Sequence, residues 1–109
     1  MDIETIRERI RAGNYLVKSH AVRHALKEGF DHKNMVEAVL NGKIIEEYPE
    51  RRRALVSGKV EIFENVTAYL HVVCECADPV YVEFVTAYIP DERVWKEPGF
   101  SRRKRRRRK

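Results

Sequence analysis

The chain has 109 residues, a net charge of +5 and 43% hydrophobic residues, which fits one globular domain. The last eight residues, Arg102 to Lys109, are all Lys or Arg, so residues 1–101 carry a net charge of −3. No apolar run approaches the ~18 residues of a membrane span, and the acidic N-terminal residues do not resemble a secretory signal. The two cysteines, Cys74 and Cys76, are too close in sequence for an easy disulfide, which favours a reduced, cytoplasmic protein.

The first part of the chain has the periodicity of amphipathic helices. Apolar residues recur at spacings of three and four, which predicts three helices over residues 2–12, 19–28 and 32–40. Ser19 and Asp31 are the predicted N-caps of the second and third helices, because their side chains can accept hydrogen bonds from free amides of the first turn. Gly13, Gly29 and Gly42 follow the three helices and predict their ends.

After Gly42 the apolar residues recur with the period of a β-strand. This period predicts four strands over residues 43–48, 54–63, 69–76 and 80–89, and the short connections between them predict an antiparallel meander. The fold class is therefore α+β, with N-terminal helices packed on a four-stranded antiparallel meander sheet. We expect one domain over residues 1–100. Residues 101–109 form a basic tail that is expected to be disordered, because blocks of like charge repel one another.

The basic tail has two interpretations. Clustered cations bind polyanions by counterion release, so Arg102 and Arg103 are predicted to bind nucleic acid. The alternative is a solubilising extension without a binding role.

Two histidines of the second helix, His20 and His24, are four residues apart and share one helix face. Zinc would require a third ligand, and no Glu follows His20 as in a metalloprotease helix, so no metal site is predicted. Histidine titrates near neutrality, which makes acid–base chemistry the functional interpretation. The alternative is an exposed helix face without a task.

The third strand carries His71, and its neighbours depend on the register with the fourth strand. A loop of even length places His71 opposite Thr86 and Tyr69 opposite Tyr88, and leaves the other face nearly apolar. A loop of odd length moves Thr86 and Tyr88 to the cysteine face. We favour the even loop, because it separates an apolar face from an open face that holds His, Thr and Tyr.

A run of arginines includes Arg51 and Arg53, and Lys59 follows on the second predicted strand. Near a histidine-bearing groove these cations are expected to hold phosphate; the alternative is a solvated surface. The chain has no glycine-rich phosphate loop and no acidic cluster typical of a two-metal nuclease. Phosphodiester cleavage would then proceed without metal or cofactor, which suits RNA because its 2′-hydroxyl is a built-in nucleophile.

An ordered set of blocks resembles a known prokaryotic family, the domain of unknown function 4258. The blocks are Ser19-His20-Ala21, Glu28-Gly29-Phe30, the segment from Gly42 to Pro49, Leu70-His71-Val72-Val73, the segment from Thr86 to Asp91, and Trp95. This family is similar to the RelE/ParE-type toxins. The resemblance implies their small α+β ribonuclease-like fold and a toxin-like, metal-independent endoribonuclease encoded beside an antitoxin.

Carried over by position, the implied site comprises His20, His71, Thr86 and Tyr88. His71 or His20 would act as the general acid or base, and Tyr88 would orient the ribose or phosphate. Many relatives have Arg where this chain has His24 and Glu28, and either Arg23 or a protonated His24 is the expected substitute for a lost cation.

The implied partners are RNA or the ribosome and a small antitoxin protein, with no membrane. The alternative is a module on the same scaffold that binds RNA without cleaving it, or that pairs with another protein through an exposed strand edge.

Overall fold

The structure, a computed structural model, describes residues 2–96 and 100–103. The helices of this part are α1 (Ile3–Arg11), α2 (Ser19–Glu28) and α3 (His32–Asn41). The strands are β1 (Tyr15–Val17), β2 (Lys43–Tyr48), β3 (Arg53–Phe63), β4 (Val66–Glu75), β5 (Val82–Tyr88), β6 (Trp95–Lys96) and β7 (Arg102–Arg103). A short 3-10 helix, Pro49–Arg51, joins β2 to β3. The α+β class is confirmed.

The main sheet has five strands in the order β1-β5-β4-β3-β2. The four predicted strands are present and antiparallel, but β1 adds a parallel edge strand, with Tyr15 opposite Val82. The sheet is therefore mixed, and the prediction of a four-stranded antiparallel meander is corrected. A strand of three residues is too short to show alternation. Its position depends on distant hydrogen bonds instead, such as the one of 3.0 Å from the Lys18 amide to the Phe84 carbonyl.

The two predicted helix caps have different outcomes. The Asp31 carboxylate accepts hydrogen bonds from the amides of Lys33 and Asn34, and the Asn34 side chain accepts one from the Asp31 amide, which forms a capping box. The Ser19 cap is wrong by one position: Ser19 is the first residue of α2, and the N-cap, Lys18, makes no side-chain cap bond. Gly29 ends α2 in the left-handed conformation, with φ of 84°.

The core lies between the helices and the inner face of the sheet. Gly58 on β3 is the point of closest approach, because a Cβ atom there would lie 2.0 Å from the carbonyl oxygen of Ala38 on α3. Cys74 on β4 is fully buried in this core, and burial raises the pKa of its thiol. Cys74 is therefore a packing residue.

The register of β4 and β5 differs from the prediction by two residues. His71 lies opposite Tyr88, and Val73 lies opposite Thr86, with a β-bulge between Val73 and Cys74. Because side chains alternate with a period of two, His71, Thr86 and Tyr88 still share one side of the sheet.

The bulge changes which residues of β5 face the helices. Val82 and Phe84 are fully buried in the core, whereas the even-loop register places them on the same face as Thr86. Tyr81 is exposed.

After β5 the chain returns over the side of the sheet that faces away from the helices, which we call the outer face. There β6 and β7 form a small antiparallel pair, with Trp95 opposite Arg103. We call residues 91–96 and 100–103 the strap. Trp95 is 3% exposed and packs on His71, so it pins the C-terminal segment to the sheet. The remainder of the basic tail, residues 104–109, lies outside the described residues. Within the described ranges, no helix is long and apolar enough to cross a membrane.

Candidate functional site

The centre of the outer face is His71, which β4 places beneath the strap. Its side chain is fully buried, although a histidine on the side of a sheet that faces away from the helices would ordinarily reach solvent. The indole of Trp95 covers it, with ring centroids 4.5 Å apart and planes at 86°. The sequence predicted an open outer face at this point, and the strap covers it.

Both ring nitrogens of His71 have partners. The Nε2 atom lies 2.9 Å from the carbonyl oxygen of Phe100, and because a carbonyl only accepts, Nε2 carries the proton. The Nδ1 atom lies 3.3 Å from the hydroxyl of Tyr88, which donates to it. Burial lowers the pKa of His71 to about 4, and the bond to Phe100 opposes this only in part. The imidazole is therefore neutral at pH 7.

Tyr88 is the second member of the predicted site on this face. Its ring centroid lies 5.2 Å from that of His71, and burial raises the pKa of its phenol to about 12. The phenol is protonated at neutral pH, which agrees with its role as donor to His71. The predicted convergence of an imidazole and a phenol is therefore present in the structure, beneath the strap.

An ion pair of Glu46 and Arg103 borders this cluster. The Arg103 guanidinium donates to both carboxylate oxygens of Glu46, at 2.7 and 3.0 Å, and lies 4.6 Å from the centroid of Trp95. The Tyr48 hydroxyl also donates to Glu46. The bond from Arg103 lowers the pKa of the Glu46 carboxyl.

The sequence did not predict Glu46 and Tyr48 as part of the site. The available signal was that Glu46 and Tyr48 lie two positions apart on the first predicted strand, so both side chains are on one face of the sheet. The sequence also predicted that Arg103 binds nucleic acid, whereas in the structure its guanidinium forms an ion pair with Glu46. Arg102 is exposed on β7.

A cavity of about 400 Å³ lies on the outer face beside the strap, and we call it the arginine cavity. Its lining includes Arg51, Arg53 and Thr86 together with two carboxylates, Glu47 and Glu50, so the structure brings together three side chains that were predicted for the site. Arg53 donates to Glu75 at 2.8 Å. Arg51 is exposed and makes no ion pair with the residues that the structure describes.

Lys59 lies apart from the two arginines. It lines a second cavity, of about 330 Å³, together with Tyr69 and Phe100, and we call this the aromatic cavity. The sequence predicted Arg51, Arg53 and Lys59 as one phosphate-binding group, but the structure distributes them over two cavities.

The predicted histidine pair lies on α2, in the helix layer. The rings of His20 and His24 are neighbours, with centroids 4.6 Å apart, and His20 is exposed. In the described residues no hydrogen bond or ring contact joins either histidine to His71 or Tyr88. The predicted site is therefore divided between the two layers of the fold.

His24 and Glu28, the two residues that depart from the family pattern, contact each other. Nδ1 of His24 lies 3.2 Å from one carboxylate oxygen of Glu28, and the other oxygen accepts a hydrogen bond of 3.0 Å from the Ile89 amide. Glu28 therefore links α2 to the end of β5. This contact engages His24, one of the two residues expected to substitute for a lost cation, whereas the other, Arg23, is exposed.

Across residues 2–96 and 100–103, no three His, Cys, Asp or Glu side chains are grouped so that they could hold a metal ion. The buried side-chain polar atoms of these ranges all have hydrogen-bond partners.

Comparison with known proteins gives one match. The family model described as a domain of unknown function (DUF4258) matches residues 17–89, which is more than half of the chain. No curated protein and no solved structure matches. The matched range runs from the end of β1 to the residue after β5, and so includes His71, Thr86 and Tyr88. The chain therefore belongs to the family of the domain of unknown function 4258.

Proposed function

We propose that this chain is a toxin-like endoribonuclease of the RelE/ParE type, which binds RNA on the outer face of its sheet and cleaves it without a metal ion. The observation that carries the proposal is the arginine cavity, where Arg51, Arg53 and Thr86 meet. Three helices on one side of a five-stranded sheet are compatible with the small α+β fold of those toxins.

The side chains of the arginine cavity suit a phosphodiester. Guanidinium groups present planar pairs of donors that match phosphate oxygens, and Thr86 adds a hydroxyl. Glu75 offsets part of the charge of Arg53, and Glu47 and Glu50 also line the cavity, so Arg51 is the principal cation left for a phosphate. In cleavage, the 2′-oxygen of RNA bonds to phosphorus while the bond to the 5′-oxygen breaks. A base takes the 2′-hydroxyl proton, an acid protonates the leaving 5′-oxygen, and the cations stabilise the pentavalent phosphate.

The acid–base group is His71 or His20. His71 is closer to the arginine cavity, because it shares the outer face with Thr86, but both of its ring nitrogens are engaged beneath the strap. Proton transfer by His71 therefore requires the strap to leave the imidazole. His20 is exposed, but it lies on the helix layer.

A second candidate function is RNA binding without cleavage on the same scaffold. The burial of His71 favours it, because a sealed imidazole is a structural anchor and not an accessible base. Both candidates act on RNA or the ribosome in the cytoplasm, and a small antitoxin protein is the expected regulator of the nuclease.

The experiment is RNA cleavage by the purified protein in the presence of EDTA. The proposal predicts products with 2′,3′-cyclic phosphate ends from single-stranded RNA and no cleavage of the same sequence in DNA. Arg51→Gln should reduce the cleavage rate at least about tenfold, because it removes the principal cation at the phosphate. The matched control is Arg11→Gln, which removes an exposed cation of α1 in the helix layer and should have no effect.

The other outcomes separate the candidates. Equal cleavage by the wild type, His20→Ala and His71→Gln contradicts the acid–base assignment. RNA binding without cleavage supports the second candidate and rejects the nuclease. A protein that neither binds nor cleaves RNA contradicts both.

A further inference from the structure

The aromatic cavity lies at the opposite end of the outer face from Arg51 and has a different character. Its volume of about 330 Å³ is at the small end of the usual range for ligand cavities, roughly 300–1,000 Å³. The lining consists of Lys59, Thr67, Ala68, Tyr69, Ile89, Pro90 and Phe100. Lys59 is the one charged residue of this lining. The cavity therefore suits a single flat, mostly apolar group next to a negative charge.

Sheet register fixes two of the lining side chains. Lys59 on β3 lies directly opposite Tyr69 on β4, so both project from the outer face at adjacent positions. The rings of Tyr69 and Phe100 meet edge to face, with centroids 5.8 Å apart and planes at 64°. An ammonium group therefore stands beside a pair of aromatic rings.

Phe100 is held in place by one contact of its main chain and one contact of its ring. Its φ of 51° is in the left-handed region, which is unusual for a residue with a side chain. The bond from His71 to its carbonyl oxygen and the contact with Tyr69 hold this conformation. The ring is therefore positioned before any ligand binds.

We propose that the aromatic cavity binds one unstacked base of single-stranded RNA, with Lys59 at an adjoining phosphate; this inference rests on the proposed function. Single-stranded RNA is recognised chiefly by stacking of its bases on aromatic side chains, beside cations that follow the backbone. Tyr69 and Phe100 supply the aromatic surface, and Lys59 supplies the cation. An RNA strand that crosses the outer face would place a second phosphate in the arginine cavity.

The experiment measures the affinity of the full chain for a fluorescent single-stranded RNA octamer at several salt concentrations. Tyr69→Leu should lower the affinity roughly tenfold, because it removes one stacking surface, and should leave the salt dependence unchanged. Lys59→Gln should reduce the slope of log affinity against log salt by about 1, the effect of one lost phosphate contact. The matched controls are Tyr81→Leu, at an exposed tyrosine outside both cavities, and Lys33→Gln on the helix layer.

If Tyr69→Leu binds the octamer as tightly as Tyr81→Leu, the inference is overturned while the proposed function stands. If the wild type binds no RNA, the proposed function itself fails.

A second measurement uses only wild-type protein, so it does not depend on the folding of a variant. The ring-proton resonances of Tyr69 and Phe100 should shift on titration with the octamer, and should not shift with an octamer of the same length that lacks bases. Equal shifts with both oligomers would overturn the inference.

Discussion

The Nε2 atom of His71 donates a hydrogen bond of 2.9 Å to the main-chain carbonyl oxygen of Phe100. This contact joins the middle of β4 to the strap, and it accounts for three features together. It keeps the imidazole buried, it holds Phe100 in its left-handed conformation, and it fixes the aromatic pair of Tyr69 and Phe100.

His71 makes stability depend on pH. Its pKa of about 4 in the fold lies below its ordinary value of 6.5, so folding favours the neutral imidazole. The corresponding stability is fully present above about pH 6.5 and is lost as the pH falls towards 4, at most about 3 kcal/mol. The check is the free energy of unfolding from urea titrations between pH 7 and 4.

Carboxylates also titrate in this range, so the comparison variant is His71→Gln. Gln keeps an amide donor near the position of Nε2 but has no titratable group. The wild type should lose more stability than His71→Gln as the pH falls. Parallel curves for the two proteins would contradict the buried, neutral state of His71.

The pair of Glu46 and Arg103 should contribute only modestly to stability. The Arg103 side chain is 55% exposed, so solvent screens the pair, and its coupling energy should be at most about 1 kcal/mol. A double-mutant cycle with Glu46→Gln and Arg103→Gln measures it. Trp95 is the only tryptophan, and Arg103 lies over its ring, so both variants should also change the fluorescence of the folded state. Unchanged emission from both variants would mean that the strap does not hold Arg103 against Trp95.

Two caps that look alike in sequence should respond differently to mutation. Asp31→Ala removes the capping box of α3 and should cost about 1 kcal/mol of unfolding free energy, whereas Asp31→Asn should cost less. Ser19→Ala should be nearly neutral, because the N-cap of α2 is Lys18. Thermal unfolding of the three variants is the measurement, and a Ser19→Ala loss as large as that of Asp31→Ala would contradict the cap assignment.

Gly58 should be intolerant of any side chain. A Cβ atom would overlap the main chain of Ala38, so Gly58→Ala must push α3 away from the sheet and should cost about 3 kcal/mol. Lys59→Ala, at the next and exposed position of β3, is the control and should cost less than about 1 kcal/mol. The measurement is the free energy of unfolding of both variants by chemical denaturation. Equal values would show that the helix and strand are not in close contact at Gly58.

Local patterns predicted much of the fold. The ends of α2 and α3 follow from apolar spacing and from glycines, and Asp31 was identified as a cap by its chemistry. The shared face of His71, Thr86 and Tyr88 also followed, because a shift of two residues preserves the side of a strand.

Long-range contacts explain what the sequence did not predict. β1 depends on its parallel pairing with β5, and its three residues carry no periodic signal. The cover over His71 depends on contacts between residues far apart in the chain. His71 and Phe100 are 29 positions apart, and Glu46 and Arg103 are 57 apart. Neither composition nor spacing indicates that a C-terminal segment lies across the sheet.

The most direct test of RNA binding on the outer face is a titration of isotope-labelled protein with a single-stranded RNA octamer, followed by amide chemical shifts. We predict the largest changes around the two cavities, at Arg51, Arg53, Thr86, Lys59 and Tyr69. Changes confined to α1, α2 and α3, or the absence of any change in the sheet, would contradict the account.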